Sequence, residues 1–202
     1  MYAHLLGCLQ RHDEALTQAQ LASDLDPLNP LVQTMFSAVL TNAGDCEAGM
    51  VVLEKVLAIE PENFIANILL FVVAFRCGDY DKVMVGQKHV IKVYSRGELE
   101  EDDFKEIERI YDEQGFPAAY EEKLRLWEVL ANKGFVGPID MAVIYMKGNK
   151  QDKAMDLIEK GYEIRDPNMP YIGTKVNPFD SLYFNPRFIA ILEKLNLPLP
   201  NN

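Results

Sequence analysis

The chain has 202 residues, 49% apolar and 25% charged, with 31 acidic against 20 basic side chains and a net charge of −11. That length suits one domain or one short array of repeats, and the acidic balance disfavours direct contact with nucleic acid or anionic lipid. The longest apolar stretch, Phe64 to Phe75, is interrupted by Asn67. It falls short of the roughly 20 residues needed to cross a bilayer, and the N-terminus lacks the basic start and cleavage site of a signal peptide.

In chain order, the first expected helix is short, Tyr2 to Leu9, and is followed by Asp13 to Leu25, Pro30 to Asn42, Cys46 to Ile59, Asn63 to Arg76 and Tyr80 to Tyr94. Punctuation recurs every 34 residues: Pro27 and Pro61, then Gly44-Asp45 and Gly78-Asp79. The glycines suit the left-handed residue that ends a helix. Each aspartate stands where the next helix needs an N-cap. Each proline prevents continuation beyond a helix end. Leu16, Ala19 and Ala22 in one second helix, and Val52, Leu53, Val56 and Leu57 in the next, form apolar stripes. The opening helix is shorter than its successors, so a truncated first repeat with more chain upstream is expected.

After Ser95 the period slips. An acidic connector, Arg96 to Asp103, leads to helices from Asp103 to Glu113, Ala118 to Asn132, Ile139 to Lys147 and Asp152 to Ile164. Residues 170–178 read as a proline-rich, mostly extended segment, and Ile189 to Leu195 as a last helix. Phe179, Leu182, Phe184, Phe188, Ile191 and Leu192 suit a cap over the final apolar face, which a repeat stack requires. Three segments result: 1–95, three repeats with the first cut short; 96–167, two irregular hairpins continuing the array; 168–202, a capping tail. The expected fold is all-α, a right-handed α-solenoid of about five antiparallel helix pairs.

A 34-residue helix–turn–helix period resembles the tetratricopeptide repeat. The Asp140 to Tyr145 helix, the 148–154 turn and the Phe179-Asp180-Ser181-Leu182…Asn185-Pro186-Arg187-Phe188 tail are similar to the C-terminal repeat regions of multidomain bacterial signalling proteins. Those regions commonly follow a DNA-binding, nucleotide cyclase or kinase domain. The tail motif of that family usually reads Asp-Pro-Arg-Phe, where this chain has Asn185. Gln33 and Asn67 replace the early tryptophan of the repeat, and Gly49 and Val83 stand where alanine is typical. The resemblance implies fold more strongly than function.

Catalytic signatures are missing. His4, His12 and His89 have no second ligand at helical spacing, no serine sits in a nucleophile elbow, and no phosphate loop occurs. The acidic run Glu98, Glu100, Glu101, Asp102 and Asp103 reads as a solvated face. Cys8, Cys46 and Cys77 match no zinc or redox spacing and read as reduced thiols of a cytoplasmic protein, with a disulfide disfavoured. No catalytic residue, metal or cofactor is expected. The expected role is a non-catalytic scaffold holding a peptide or protein on its concave face through Leu31, Thr34, Ala38, Asn42, Ile65, Ile68, Val72 and Arg76, with His4 and Cys8 continuing the row. The lysine pair of a chaperone-tail clamp is missing beside Asn42 and Arg76. The alternative is a regulatory or sensory module acting on an attached upstream effector domain, and exposed terminal faces allow a weak homodimer. A stand-alone enzyme is the remote third reading.

Overall fold

A computed structural model describes residues 1–99, 102–134 and 136–199. Among these residues the chain is all-helical, with eleven α-helices and two 3-10 turns. The helices are α1 (Tyr2–Cys8), α2 (His12–Leu25), α3 (Pro30–Ala43), α4 (Cys46–Ile59), α5 (Phe64–Cys77), α6 (Tyr80–Tyr94), α7 (Asp102–Gln114), α8 (Phe116–Asn132), α9 (Pro138–Lys147), α10 (Gln151–Ile164) and α11 (Pro186–Lys194). Consecutive helices pack as the hairpins α1–α2, α3–α4, α5–α6, α7–α8 and α9–α10. The first helices of neighbouring hairpins touch, α1 against α3 and α3 against α5, as in an α-solenoid.

Local chemistry sets each boundary. Gly44 and Gly78 both take positive φ, +103° and +74°. Asp45 Oδ1 accepts from the Ala48 N–H at 2.9 Å and Asp79 Oδ1 from the Lys82 N–H at 3.1 Å, so both aspartates cap as their spacing predicts. Asn29 and Asn63 form a second capping series with the same period. Asn29 Oδ1 accepts from the Leu31 and Val32 N–H groups, and Asn63 Oδ1 from that of Ala66.

Five clusters of buried side chains make up the core. The largest joins α9, α10 and α11 through Ile139, Met155, Ile158, Phe179, Phe188 and Leu192. Five of the proposed capping residues, Phe179, Leu182, Phe188, Ile191 and Leu192, belong to it, but Phe184 is 89% exposed and caps nothing. Residues 170–178 are not extended: a 3-10 turn at Met169–Tyr171 is followed by further turns. The reason lies in local bonds, since the Thr174 N–H and Oγ1 and Asn177 Nδ2 all donate to the Tyr171 carbonyl. Arg187 ties α11 to α10 by reaching Asp156 at 2.7 Å and Glu159 at 2.6 Å.

The cysteine reading needs correction. Cys46 and Cys77 form a disulfide, with Cα atoms 5.8 Å apart, and Cys8 is free and buried. The helices α4 and α5, which adjoin between successive hairpins, each have 14 residues, so where they run antiparallel the first residue of one faces the last of the other. Glu100 and Glu101 of the acidic run lie outside the described residues. Of the rest, Glu98 pairs with Lys133, and Asp102 and Asp103 open α7, where negative charge favours a helix start.

Gly86 shows how closely the hairpin helices approach. A Cβ there would lie 2.9 Å from the Phe71 backbone nitrogen, a contact relieved only by moving α6 away from α5. At an open helical site, alanine would gain about 1 kcal/mol over glycine. We expect Gly86→Ala instead to destabilise by roughly 1–3 kcal/mol, read as a lower urea midpoint with unchanged slope. A midpoint at or above wild type would contradict this packing.

Candidate functional site

The tail crosses the face formed by the first helices. Gln10 Nε2, just after α1, lies 3.5 Å from the Gly173 and Pro198 carbonyls. The His4 and Tyr171 rings meet at a tilt, with centroids 5.0 Å apart. On α3, Asn42 Oδ1 accepts from the Val176 N–H at 2.9 Å, and on α5, Arg76 pairs with Asp180. From the other side, α9 sends the buried Lys147 against α5: its ammonium nitrogen stands 3.4 Å from the Phe71 ring centroid and 3.3 Å from the Phe71 carbonyl.

Beneath this closure lies a cavity of about 370 Å³, partly open to solvent. Its repeat-side wall includes Met35, Ala38, Ile68, Leu69, Val72 and Val90. Ile139, Val143 and Ile144 of α9 face them, with Asn168, Tyr171, Thr174, Val176 and Asn177 supplied by the tail. The polar side chains are His4, Asn42, Tyr94, Trp127 and Asp140 with Asn168, Tyr171, Thr174 and Asn177 of the tail. This is the composition of a small-molecule pocket, with apolar walls and a few placed polar groups.

The eight residues expected on the concave face divide. Ala38, Asn42, Ile68 and Val72 line the cavity, and Arg76 is engaged by the tail. Thr34 is fully buried, its hydroxyl donating to the Pro30 carbonyl at 2.6 Å. Leu31 and Ile65 are 52% and 43% exposed in the first turns of α3 and α5. His4 continues the row into the cavity, while Cys8 is buried.

The carboxylate in the cavity wall was not among the expected residues. Asp140 sits in the first turn of α9 and lines the cavity. Asn168 Nδ2 donates to its Oδ1 at 3.0 Å, and the Tyr94 hydroxyl lies 3.5 Å from its Oδ2. Among the described residues no lysine, arginine or histidine pairs with it. Burial first, and then the neighbouring Asp166 carboxylate, push its pKa up to about 6. Asp166 itself caps α9, accepting from the Ile139 N–H at 3.2 Å. Burial, followed by Asp140, likewise raises the Tyr94 hydroxyl to about 12, and burial lowers His4 below its usual range. Trp127 completes the group: its ring meets that of Tyr94 edge-on at 5.5 Å, and its indole N–H finds no acceptor among the described residues.

A second hollow, about 610 Å³, is lined by Lys88, His89, Lys92 and Lys123 together with Glu62, Asp81 and Glu108. Its charges are largely satisfied internally. Lys88 reaches Glu108 at 2.6 Å, His89 faces Glu62 at 3.5 Å, and the Tyr111 hydroxyl donates to Asp81 at 2.5 Å. Lys123 is buried and brought down to about 7 by desolvation, its ammonium donating to the Met84 carbonyl. We therefore take the first cavity, where a carboxylate has no cation, as the candidate site.

No helix among the described residues is long and apolar enough to cross a membrane, and no three metal-binding side chains among them converge. No protein-family model matches the chain, and no curated protein matches it in sequence.

Asp140 makes a pH-dependent contribution of known sign. Its ordinary pKa is 3.8 and its folded value about 6, so the unfolded chain ionises first as pH rises. The group therefore favours folding most below about pH 4 and loses that contribution by about pH 6, a change of roughly 2–3 kcal/mol at most. We expect Asp140→Asn to be more stable than wild type at about pH 7 by about 1–3 kcal/mol, with the gap closing towards pH 4. Urea midpoints across that range measure it. A gap that does not change with pH would refute the buried-carboxylate assignment.

Proposed function

We propose that this chain is a non-catalytic binding module, a protein-interaction scaffold of the tetratricopeptide type that holds polypeptide on the face formed by its first helices. One observation carries the reading: that face already holds polypeptide, namely the chain's own tail. Asn42 receives a main-chain N–H and Arg76 receives a carboxylate, which are the two elements of peptide recognition that do not depend on a particular apolar side chain. A partner meets what the tail leaves open, the exposed first turns around Leu31 and Ile65.

A second reading has its own support. The cavity lies between the repeats and the tail, so whatever fills it acts on how the two halves hold together. That suits a regulatory or sensory module attached to an effector domain, as the likeness to bacterial signalling regions implies. A cytoplasmic location was inferred from reduced cysteines, and the Cys46–Cys77 bridge removes that ground.

The scaffold reading is tested by capturing partners with the full chain from its own cells and repeating the capture with surface variants. Leu31→Glu with Ile65→Glu should weaken the main partner by about tenfold or more, because both side chains are exposed and their loss spares the core. Val85→Glu, on the 63% exposed outer surface of α6, should leave it unchanged. Equal capture by all three proteins would reject the inner-face surface.

A further inference from the structure

We propose that the cavity is a receptor site for an organic ammonium: a small apolar molecule carrying one protonated amine, seated on Asp140 beside Tyr94. The inference goes beyond the protein-binding reading and stands on the cavity alone. Three observations converge on it.

The first is an uncompensated anion. Asp140 is surrounded by neutral donors, an amide at 3.0 Å and a hydroxyl at the longer 3.5 Å, and its charged neighbour Asp166 is another carboxylate. Removing a carboxylate from water without a counter-charge is costly. A ligand ammonium would supply the charge and donate to the oxygens that the protein leaves weakly bonded. The second is the aromatic pair. Tyr94, whose hydroxyl lies 3.5 Å from the carboxylate, and Trp127, packed edge-on against Tyr94, both line the cavity, and ring faces attract cations within about 6 Å, tryptophan most strongly. A carboxylate that shares its cavity with aromatic rings selects a cation over a neutral molecule of the same shape.

The third is the rest of the space. The remaining walls are mainly aliphatic, and about 370 Å³ is at the lower end of ligand pockets. The molecule is therefore small and mostly hydrocarbon. Burial keeps His4, the histidine on the cavity wall, on the neutral side, so it does not compete as a cation.

The chain supplies its own reporter, since Trp127 is its single tryptophan. Titrating the full chain at about pH 7.5, where Asp140 is ionised, with phenethylammonium, 2-phenylethanol and 3-phenylpropionate compares a cation, a neutral molecule and an anion on similar frames. We expect a saturable change in Trp127 fluorescence, with the ammonium bound at least about tenfold tighter than the alcohol and the carboxylate weakest. In Asp140→Asn the ammonium should lose that advantage while the alcohol binds within about twofold of wild type; circular dichroism of the variant confirms that it is folded. The proposal is overturned if none of the three saturates, if the alcohol binds as tightly as the ammonium, or if the ammonium keeps its advantage in Asp140→Asn, which would mark attraction to the acidic surface.

Discussion

A helical hairpin cannot bury both of its faces by itself, and in this chain the burden falls on α5. Its sequence is apolar on almost every side, with Leu70, Phe71, Val72, Val73 and Ala74 all buried. Stacking against α3, α4 and α6 covers part of that surface. The remainder would face water in an open array, a loss of about 25 cal/mol for each Å² left exposed. The chain meets this constraint by turning α9 and the tail back over the first helices. Asn42, Arg76 and Gln10 fix the tail there by polar contacts, while Phe179, Leu182 and Phe188 root it in the core of α9–α11.

That closure shapes the rest of the molecule. It buries Lys147, whose ammonium has a carbonyl and two aromatic rings in place of water, and desolvation holds its pKa well below the usual lysine range. It creates the cavity, because the aliphatic side chains of α9 and the first helices do not fill the space between them. It also strands Asp140 at the head of α9 beside Asp166. Charged groups buried without counter-ions oppose folding. Two such groups, Lys147 and Asp140, lie along one closure, and only Asp140 lines the cavity.

What could be read from the sequence was local. Gly44, Gly78, Asp45 and Asp79 announce helix ends because a positive φ and a side-chain cap each demand particular residue types within a few positions. Asn29 and Asn63 carried the same 34-residue signal and could have been found by it. The closure left no comparable trace. Arg76 and Asp180 are 104 residues apart, Asn42 and Val176 134 apart, and neither pair interrupts a helical period. The Cys46–Cys77 bridge was hidden because three cysteines allow three pairings, and helix length rather than cysteine spacing decides among them. Asp140 stands in a first turn, where any acid favours a helix start; its unusual surroundings come from Tyr94 and Asn168, brought in by tertiary packing. The face expected to be open is partly covered by the chain's own end.

The central claim is that the tail is seated on the first helices through Asn42. The amide of Val176 reports on it directly, because its proton is held by a side chain 134 residues away and by no local turn. Hydrogen exchange of that amide, followed by NMR in the wild type and in Asn42→Ala, is the measurement. The account predicts slow exchange in the wild type and exchange near the rate of an exposed loop in the variant, with the α9 and α10 amides still protected. Free exchange at Val176 in the wild type would contradict it.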